Sequence, residues 1–353
     1  MHADDLLNSN YVKWMLAEEA PASDIVISSR IRLARNLNLI PFPHLLDQKS
    51  GERSLAEIQA AWQKSQDPIL REMELLTFDQ LSPLDRQILV EKHLISPNHA
   101  AANEHYRGLL VNRDGALAIM INEEDHLRIQ CLLPGLQVEA CYEMAERIDD
   151  QLEKNLNFAF DESRGYLTAC PTNVGTGMRA SVMLHLPAIT LTGLANAIFQ
   201  NIAQLGMTVR GLYGEGSEVV GNLYQVSNQV TLGQSEEDII NNLTTITAQM
   251  VDQERIMRSR LANETRFQLE DRVGRAFGIL TNARIMTSNE ALNLLSDVRL
   301  GVDLGIIKDI RPFALNELMA AVSPAHLQKR SGQEMDPFQR DVKRAEVIKE
   351  KLG

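Results

Sequence analysis

The sequence is poor in the features that staple a chain, anchor it in a membrane or draw it to nucleic acid. Cysteine is scarce: Cys131, Cys141 and Cys170 are the only three in 353 residues, and none makes a CxxC pair. That excludes a disulfide framework, indicates no zinc site and fits a reducing, cytoplasmic compartment. No run approaches the roughly 18 uninterrupted apolar residues of a membrane helix. The first residues carry Asp4, Asp5, Glu18 and Glu19 without a long apolar core, so no secretory signal is expected. Basic excess is missing as well, with 35 Lys and Arg against 47 Asp and Glu and a formal net charge of −12. A general binder of nucleic acid or of an anionic membrane needs the opposite balance, so neither is expected as a direct partner. A local basic pocket stays compatible with that charge.

What is present is ordinary in bulk. A content of 44% hydrophobic and 23% charged residues suits a globular protein, and the length allows one large core or two domains. The informative stretch is Ile121-Asn-Glu-Glu-Asp-His-Leu-Arg128. Consecutive carboxylates at Glu123, Glu124 and Asp125 sit between the apolar runs 116–121 and 127–133, which read as a β-hairpin or sharp strand junction. Acids so close repel one another unless a cation lies among them. Two readings follow, a solvated charged turn or a socket for a cation.

Upstream, residues 1–23 read as an arm, with Trp14 and Met15 as docking points. Asp24–Asn36 reads as a strand interrupted at Ser28 and Ser29, from which Arg30 and Arg32 project on one face. The two form either a surface stripe or a claw whose planar guanidinium groups bind phosphate bidentately. Residues 52–95 read as helical, with a helix opening at Ser82-Pro83 and the run ending at His93. Gln137–Leu156 has the spacing of an amphipathic helix. Gly165–Cys170 reads as a short strand, after which Gly175 and Gly177 permit a tight loop whose amides could approach a ligand. This GxG matches neither the dinucleotide-binding nor the P-loop pattern. A strand at 181–186, a helix closed by Gly206, and a strand at 223–228 follow. From Ser235, an N-cap with acid in the first turn, the periodicity is almost wholly helical, and a boundary falls near residue 260. The fold class is α+β, antiparallel strands with helices followed by an all-helical C-terminal domain.

Arg30, Arg32, Arg128, Arg179 and Arg210 lie on strand ends or glycine-rich loops, as do Glu123, Glu124 and Glu215. An acidic chain that gathers arginine there suits a nucleotide triphosphate, whose terminal phosphoryl group moves only when its charge is stabilised. Ser28-Ser-Arg-Ile-Arg32, Asn122–Arg128, Cys170-Pro-Thr-Asn-Val-Gly-Thr-Gly-Met-Arg179, and Arg210-Gly211 with Glu215 occur in that order within residues 24–260. Together they resemble the phosphagen (guanidino) kinases. The resemblance implies an antiparallel sheet flanked by helices, with ATP and Mg2+ as cofactors and no metal ligands from the protein. It implies nucleotide binding by Ser28, Ser29, Arg30, Ile31, Arg32, His93, Arg128, Arg179, Ala180, Ser181, Val182, Met183, Arg210 and Gly211. It also implies that Glu124 and Glu215 clamp the acceptor guanidinium, one taking its proton, and that Cys170 is the reactive cysteine beside it. Glu123 and Glu218 stay open as alternatives to Glu124 and Glu215. The chemistry agrees, because a protonated guanidinium is a poor nucleophile until carboxylates orient it and draw off a proton.

Two features separate the chain from classical phosphagen kinases. Those carry a small helical domain before the strand with the paired arginines, which this chain reaches at residue 28. Instead it adds a helical extension, 261–353, and this layout resembles the bacterial protein-arginine kinases. Within that extension Asp336-Pro337 reads as an N-cap and first helical residue, followed by Arg340-Asp-Val-Lys-Arg-Ala345. The latter is the family's RDxxRA motif, so Arg340, Asp341 and Arg344 are expected to bind phosphoarginine. The expected acceptors are proteins with exposed arginines. The expected partners are the Clp protease with its unfoldase, a repressor of stress genes, a small zinc-containing activator and further copies of the chain. The alternatives are a kinase for a small guanidino compound and a catalytically silent phosphoarginine-binding adaptor.

Overall fold

The strand that carries the paired arginines has two different faces. Even positions hold Ser28, Arg30, Arg32 and Ala34; odd positions hold Ser29, Ile31, Leu33 and Arg35. A strand of this pattern suits the centre of a sheet with one face on a core and one on a polar cavity. The computed structural model places it there. It describes the chain apart from residues 1, 10, 17–18, 212–218 and 309 and the side chains of residues 2–4, 312 and 313. Glu215 and Glu218 therefore lie outside the described residues.

In chain order the strands are β1 (Val26–Arg35), β2 (Glu74–Thr77), β3 (Gly108–Val111), β4 (Leu117–Ile121), β5 (Leu127–Pro134), β6 (Phe160–Asp161), β7 (Gly165–Tyr166), β8 (Met178–His185), β9 (Met207–Arg210) and β10 (Leu223–Asn228). All but β6 and β7 form one antiparallel sheet in the order β2-β3-β4-β5-β1-β8-β10-β9. The helices through the sheet region are α1 (His2–Asn8), α2 (Gln48–Lys64), α3 (Pro68–Glu72), α4 (Pro83–Glu91), α5 (Pro97–Ala101), α6 (Val138–Glu153), α7 (Pro187–Leu191), α8 (Ala195–Gln204) and α9 (Glu236–Glu264). Five more follow: α10 (Arg266–Asn282), α11 (Ser288–Asp303), α12 (Pro312–Ala321), α13 (Pro324–Ser331) and α14 (Pro337–Leu352).

The odd face of β1 is buried with Ile129, Cys131, Ala180 and Val182 of its neighbours against Cys141, Ala145 and Ile148 of α6 and Leu243 and Ile246 of α9. Each fully buried Ile or Leu contributes about 2 kcal/mol of transfer free energy, so this face fixes the register. The even face is the one left for chemistry.

The sequence reading differs from the structure in four places. β1 runs unbroken through Ser28 and Ser29, because the Ser29 hydroxyl donates to Gly135 O at 2.8 Å and accepts from Gln137 N at 2.9 Å. A buried serine so satisfied costs a strand little. Residues 52–95 are not uniformly helical. β2 interrupts them, a four-residue strand too short to show a period, paired with the equally short β3. The helix before Gly206 is two helices, separated where Gly193 takes φ 74°. The strand expected over Gly165–Cys170 is confined to the two residues of β7.

The helical region is tied to the sheet region by buried polar contacts. The Glu91 carboxylate of α4 accepts from Ala325 N at 2.7 Å and His326 N at 3.0 Å, capping the start of α13. On α9, Glu254 is fully buried; it accepts from Ala188 N and Ile189 N at 3.0 and 2.9 Å and pairs with Arg258 at 2.8 Å. Arg258 in turn meets Asp303 of α11 at 3.0 Å. Replacing Glu254 with alanine strands two buried amides and leaves the buried Arg258 with one of its two carboxylate partners. Glu254→Ala is expected to lower stability by about 3 kcal/mol or more, read from urea unfolding; a loss below about 1 kcal/mol would contradict this account of the junction.

Candidate active site

Register alone assembles the site. Antiparallel pairing sets Arg30 beside Leu132 and Ser181, Arg32 beside Gln130 and Arg179, and Ala34 beside Arg128. Gln225 of β10 pairs with Met183 and with Arg210. Residues directly opposite share a face, so the arginines of five separate sequence positions converge on the even face of the sheet. Arg30, Arg32, Arg128, Arg179, Arg210 and His93 line a cavity of about 820 Å³, together with Glu123, Glu124 and Cys170.

Its arginine wall is electrostatically costly when nothing anionic is bound. Burial, reinforced by Arg128 and Arg179, brings the Arg30 guanidinium down to about 10. Burial and then Arg30, Arg128 and Arg179 push Arg32 well below its ordinary value, with Glu123 opposing. Arg30 donates to Gln225 Oε1 at 2.8 Å, whereas the buried Arg32 Nε has no acceptor among the described residues. A cluster of half-buried donors with crowded positive charge fits the equatorial oxygens of a phosphoryl group. His93, in a left-handed turn at φ 60°, opens partly onto the same cavity. Burial, with Arg30 beside it, holds its imidazole at about 3, so it meets a ligand uncharged.

The acidic turn closes the other side. β4 and β5 form the hairpin, with Asn122 at φ 56° and hydrogen bonds from Asn122 N to His126 O at 2.9 Å and from Glu123 N to Asp125 O at 3.1 Å. The three acids have three environments. Glu123 is buried, ion-paired to Arg128 Nη1 at 2.8 Å, and accepts from Ser96 Oγ at 2.5 Å and from Glu124 N at 2.9 Å. Burial pushes its carboxyl up, but Arg128, the Ser96 hydroxyl and the Glu124 amide outweigh that and hold it below the ordinary value. Glu124 pairs with the other arm of Arg128 yet leaves 44% of its side chain exposed, against 5% for Glu123. Asp125 points away, fully buried, accepting from Asn36 Nδ2 at 2.6 Å and Ala169 N at 2.7 Å; burial raises its carboxyl.

Cys170 follows directly after Ala169, half-buried, with its Sγ 3.0 Å from Thr172 Oγ1. Asp125 thus fixes the cysteine loop against the turn that carries Glu124. The glycines beyond it serve packing more than ligand approach. A Cβ on Gly177, at φ 65°, would stand 2.7 Å from Ala34 O, and one on Gly175, at φ 115°, 2.8 Å from Thr231 O. Both positions exclude side chains because the loop is pressed onto β1 and the 231 segment.

Not every expected residue reaches the cavity. Ser29, Ile31, Ala180 and Val182 have side chains in the core, so their part is the strand itself. Ser28, Ser181 and Met183 line a narrow cleft with Arg30 and His93 beside the main cavity. Gly211 is buried directly after β9, ahead of the undescribed segment that holds Glu215. Gln225 and Ser96 were missed by sequence reasoning; strand alternation places Gln225 with Ser227, but no local signal marks Ser96.

In the helical region α14 begins at Pro337 with Asp336 as N-cap. Arg344 is buried, donating to Val322 O and Met286 O, both at 2.8 Å, and paired with Asp341 at 2.5 Å. Arg340 instead lines a separate cavity of about 610 Å³ between α4, α13 and α14, with Gln87, Glu91 and Gln328.

An antiparallel sheet whose polar face sets an arginine wall against carboxylates and a cysteine defines a guanidino phosphotransferase. Comparison with known proteins agrees. Residues 55–257 match the family described as ATP:guanido phosphotransferase, C-terminal catalytic domain, and residues 266–353 match the protein-arginine kinase McsB C-terminal domain. Among solved structures, a duplicated taurocyamine kinase from Schistosoma mansoni aligns with a TM-score of 0.61 at 25% identity, covering 69% of this chain and 34% of that one. A lombricine kinase has the same fold, with a TM-score of 0.59 at 24% identity over 69% of this chain and 73% of that one. The Syntrophomonas wolfei protein-arginine kinase is 63% identical over 100% of this chain and 98% of its own length. The Halothermothrix orenii protein-arginine kinase is 52% identical over the whole of both chains. The chain belongs to the protein-arginine kinase family.

If Asp125 holds the cysteine loop, Asp125→Ala will speed alkylation of Cys170 by iodoacetamide several-fold relative to the unaltered chain. Mass spectrometry of the Cys170 peptide against time reads this, and an unchanged rate would remove Asp125 from that role.

Proposed function

We propose that the chain transfers the γ-phosphoryl group of ATP to arginine side chains of proteins within the 820 Å³ cavity. The observation that carries this is the placing of crowded, half-buried arginines and one accessible carboxylate around a single cavity. In this reading Arg30, Arg32, Arg128, Arg179 and Arg210 hold the phosphates and His93 contacts the nucleotide uncharged. Ser28, Ser181 and Met183 frame the nucleotide end. Glu124 orients the acceptor guanidinium, with Glu215 as its counterpart, and Cys170 lies beside the guanidinium. A guanidinium nitrogen attacks the γ-phosphorus, an N–P bond forms and the bond to the β,γ-bridging oxygen breaks. ADP leaves with that electron pair, and the nitrogen's proton passes to the carboxylate, Glu124 in this assignment. Among the described residues no three His, Cys, Asp or Glu side chains stand together as a metal cage. Mg2+ is assigned to the nucleotide, where it neutralises phosphate charge.

The support for a protein acceptor is the name and full-length match of the relatives above. The working division is an arm at 1–23, a catalytic part at 24–260 and a helical phosphoarginine-binding part at 261–353. There the groove lined by Arg340 is the candidate pocket, with Arg344 and Asp341 shaping α14 beneath it. The physiological setting we propose is cytoplasmic: marking proteins for a Clp protease and its unfoldase, acting on a repressor of stress genes, and answering to a zinc-containing activator and to self-association. No helix of the described residues is long and apolar enough to cross a membrane.

Incubation with γ-labelled ATP and an unfolded protein is expected to give acid-labile phosphate on arginine. Turnover of free arginine alone would overturn the protein-kinase reading. In the helical part, Arg340→Ala is expected to weaken phosphoarginine binding about tenfold, as loss of a charge-assisted pair does. Arg344→Ala is expected instead to lower the thermal midpoint, since it strands two buried carbonyls. Equal affinity of Arg340→Ala and the unaltered chain in a titration would remove the pocket.

A further inference from the structure

The arm before β1 packs where the nucleotide is proposed to sit. Leu6, Leu7, Val12, Trp14 and Met15 are buried in one cluster with Ile88, Leu89 and Leu94 around the end of α4. An arm that merely capped the core would need nothing more than this apolar contact. It makes polar contacts as well, and three of them meet Lys92, next to His93.

Lys92 is fully buried, and its Nζ donates to the carbonyls of Leu6 and Ser9, the latter at 2.7 Å. In return Trp14 Nε1 donates to Lys92 O at 3.1 Å. The Trp14 ring stands edge-on to the His93 imidazole, with centroids 5.3 Å apart. Gln130, a cavity residue on β5, donates to His93 O at 2.7 Å from the other side. The left-handed backbone of His93 is uncommon outside glycine, though histidine tolerates it better than most residues, and these neighbours hold it there. Trp14 also closes the narrow cleft beside the main cavity, in company with Ser28, Arg30, Ser181 and Gln225. The arm is itself held at its base, by Lys13 N donating to Asp114 O at 2.9 Å and Asn316 Nδ2 of α12 donating to Met15 O at 3.3 Å.

We propose that the described part of the arm, residues 5–9 and 11–16, forms a brace for the nucleotide side of the cavity, with Trp14 and Lys92 as positioning residues that set His93 and Arg30. This rests on the reading that His93 and Arg30 face the nucleotide. Neither Trp14 nor Lys92 takes part in phosphoryl transfer. Their effect is on nucleotide affinity and leaves the acceptor side alone.

Calorimetric titration of ADP into the full chain separates a brace from a passive core, because loss of folded protein lowers stoichiometry while misplacement of His93 and Arg30 raises the dissociation constant. Trp14→Phe keeps an aromatic ring, though a smaller one, and removes the donor to Lys92 O. Lys92→Met keeps the aliphatic stem and removes both donors to the arm. Each is expected to raise the ADP dissociation constant about fivefold, a loss at the nucleotide site equal to about one net hydrogen bond, with stoichiometry unchanged. The KM for the protein substrate should stay within about twofold in both. An unchanged ADP dissociation constant in both variants, at full or reduced stoichiometry, would overturn the brace. Absence of ADP binding by the unaltered chain would overturn the site reading itself, and the brace with it.

Discussion

Arg128 is the interaction on which the active-site geometry turns. Its guanidinium spans Glu123 and Glu124, and the two carboxylates it holds differ in everything but sequence adjacency. One is buried, satisfied by a hydroxyl and an amide, and fixed. The other lines the cavity and keeps nearly half of its side chain exposed. Without the cation between them the adjacent acids would repel. Without the acids, Arg128 would add its charge unopposed to the crowded wall formed by Arg30, Arg32 and Arg179. A short hairpin therefore joins the anion-binding and cation-binding sides of one cavity.

The two-faced sheet makes that arrangement possible. One face carries an apolar layer against α6 and α9, which fixes register; register in turn fixes which arginines face one another. A slip of one residue would turn Arg30 and Arg32 into the core and Ile31 into the cavity. The stabilising layer and the chemical layer are thus the odd and even positions of the same strands. Charge crowding on the even face is unfavourable in the isolated chain, and binding of a polyanion relieves it. In the proposed cycle the nucleotide supplies that anion.

The antiparallel sheet, the acidic hairpin and the helical tail were legible in the sequence because each has a local signature: alternation, a tight polar turn between apolar runs, or a capped helical start. The short strands β2 and β3 were not, since four residues cannot display a period and β2 finds its partner more than thirty residues away. The break at Ser28 and Ser29 was misjudged because hydroxyl partners at Gly135 and Gln137 are invisible in one dimension. Among the acids, sequence showed three candidates without ranking them physically. Only the folding back of Arg128 and the burial of Asp125 distinguish their environments. Arg344 carries a similar lesson, for helical spacing put it beside Arg340 and tertiary packing put it inside.

The central claim is that adjacent glutamates flanking Arg128 have divided tasks, Glu124 serving the acceptor and Glu123 serving the placement of Arg128. The most direct test is to compare Glu123→Gln and Glu124→Gln by kcat and by ADP affinity. The account predicts that Glu124→Gln lowers kcat by roughly 10²–10⁴, the usual worth of a positioned general base, with ADP affinity within about twofold. It predicts that Glu123→Gln weakens ADP binding through a misplaced Arg128. The reverse pattern, full turnover in Glu124→Gln and unchanged nucleotide affinity in Glu123→Gln, would contradict it.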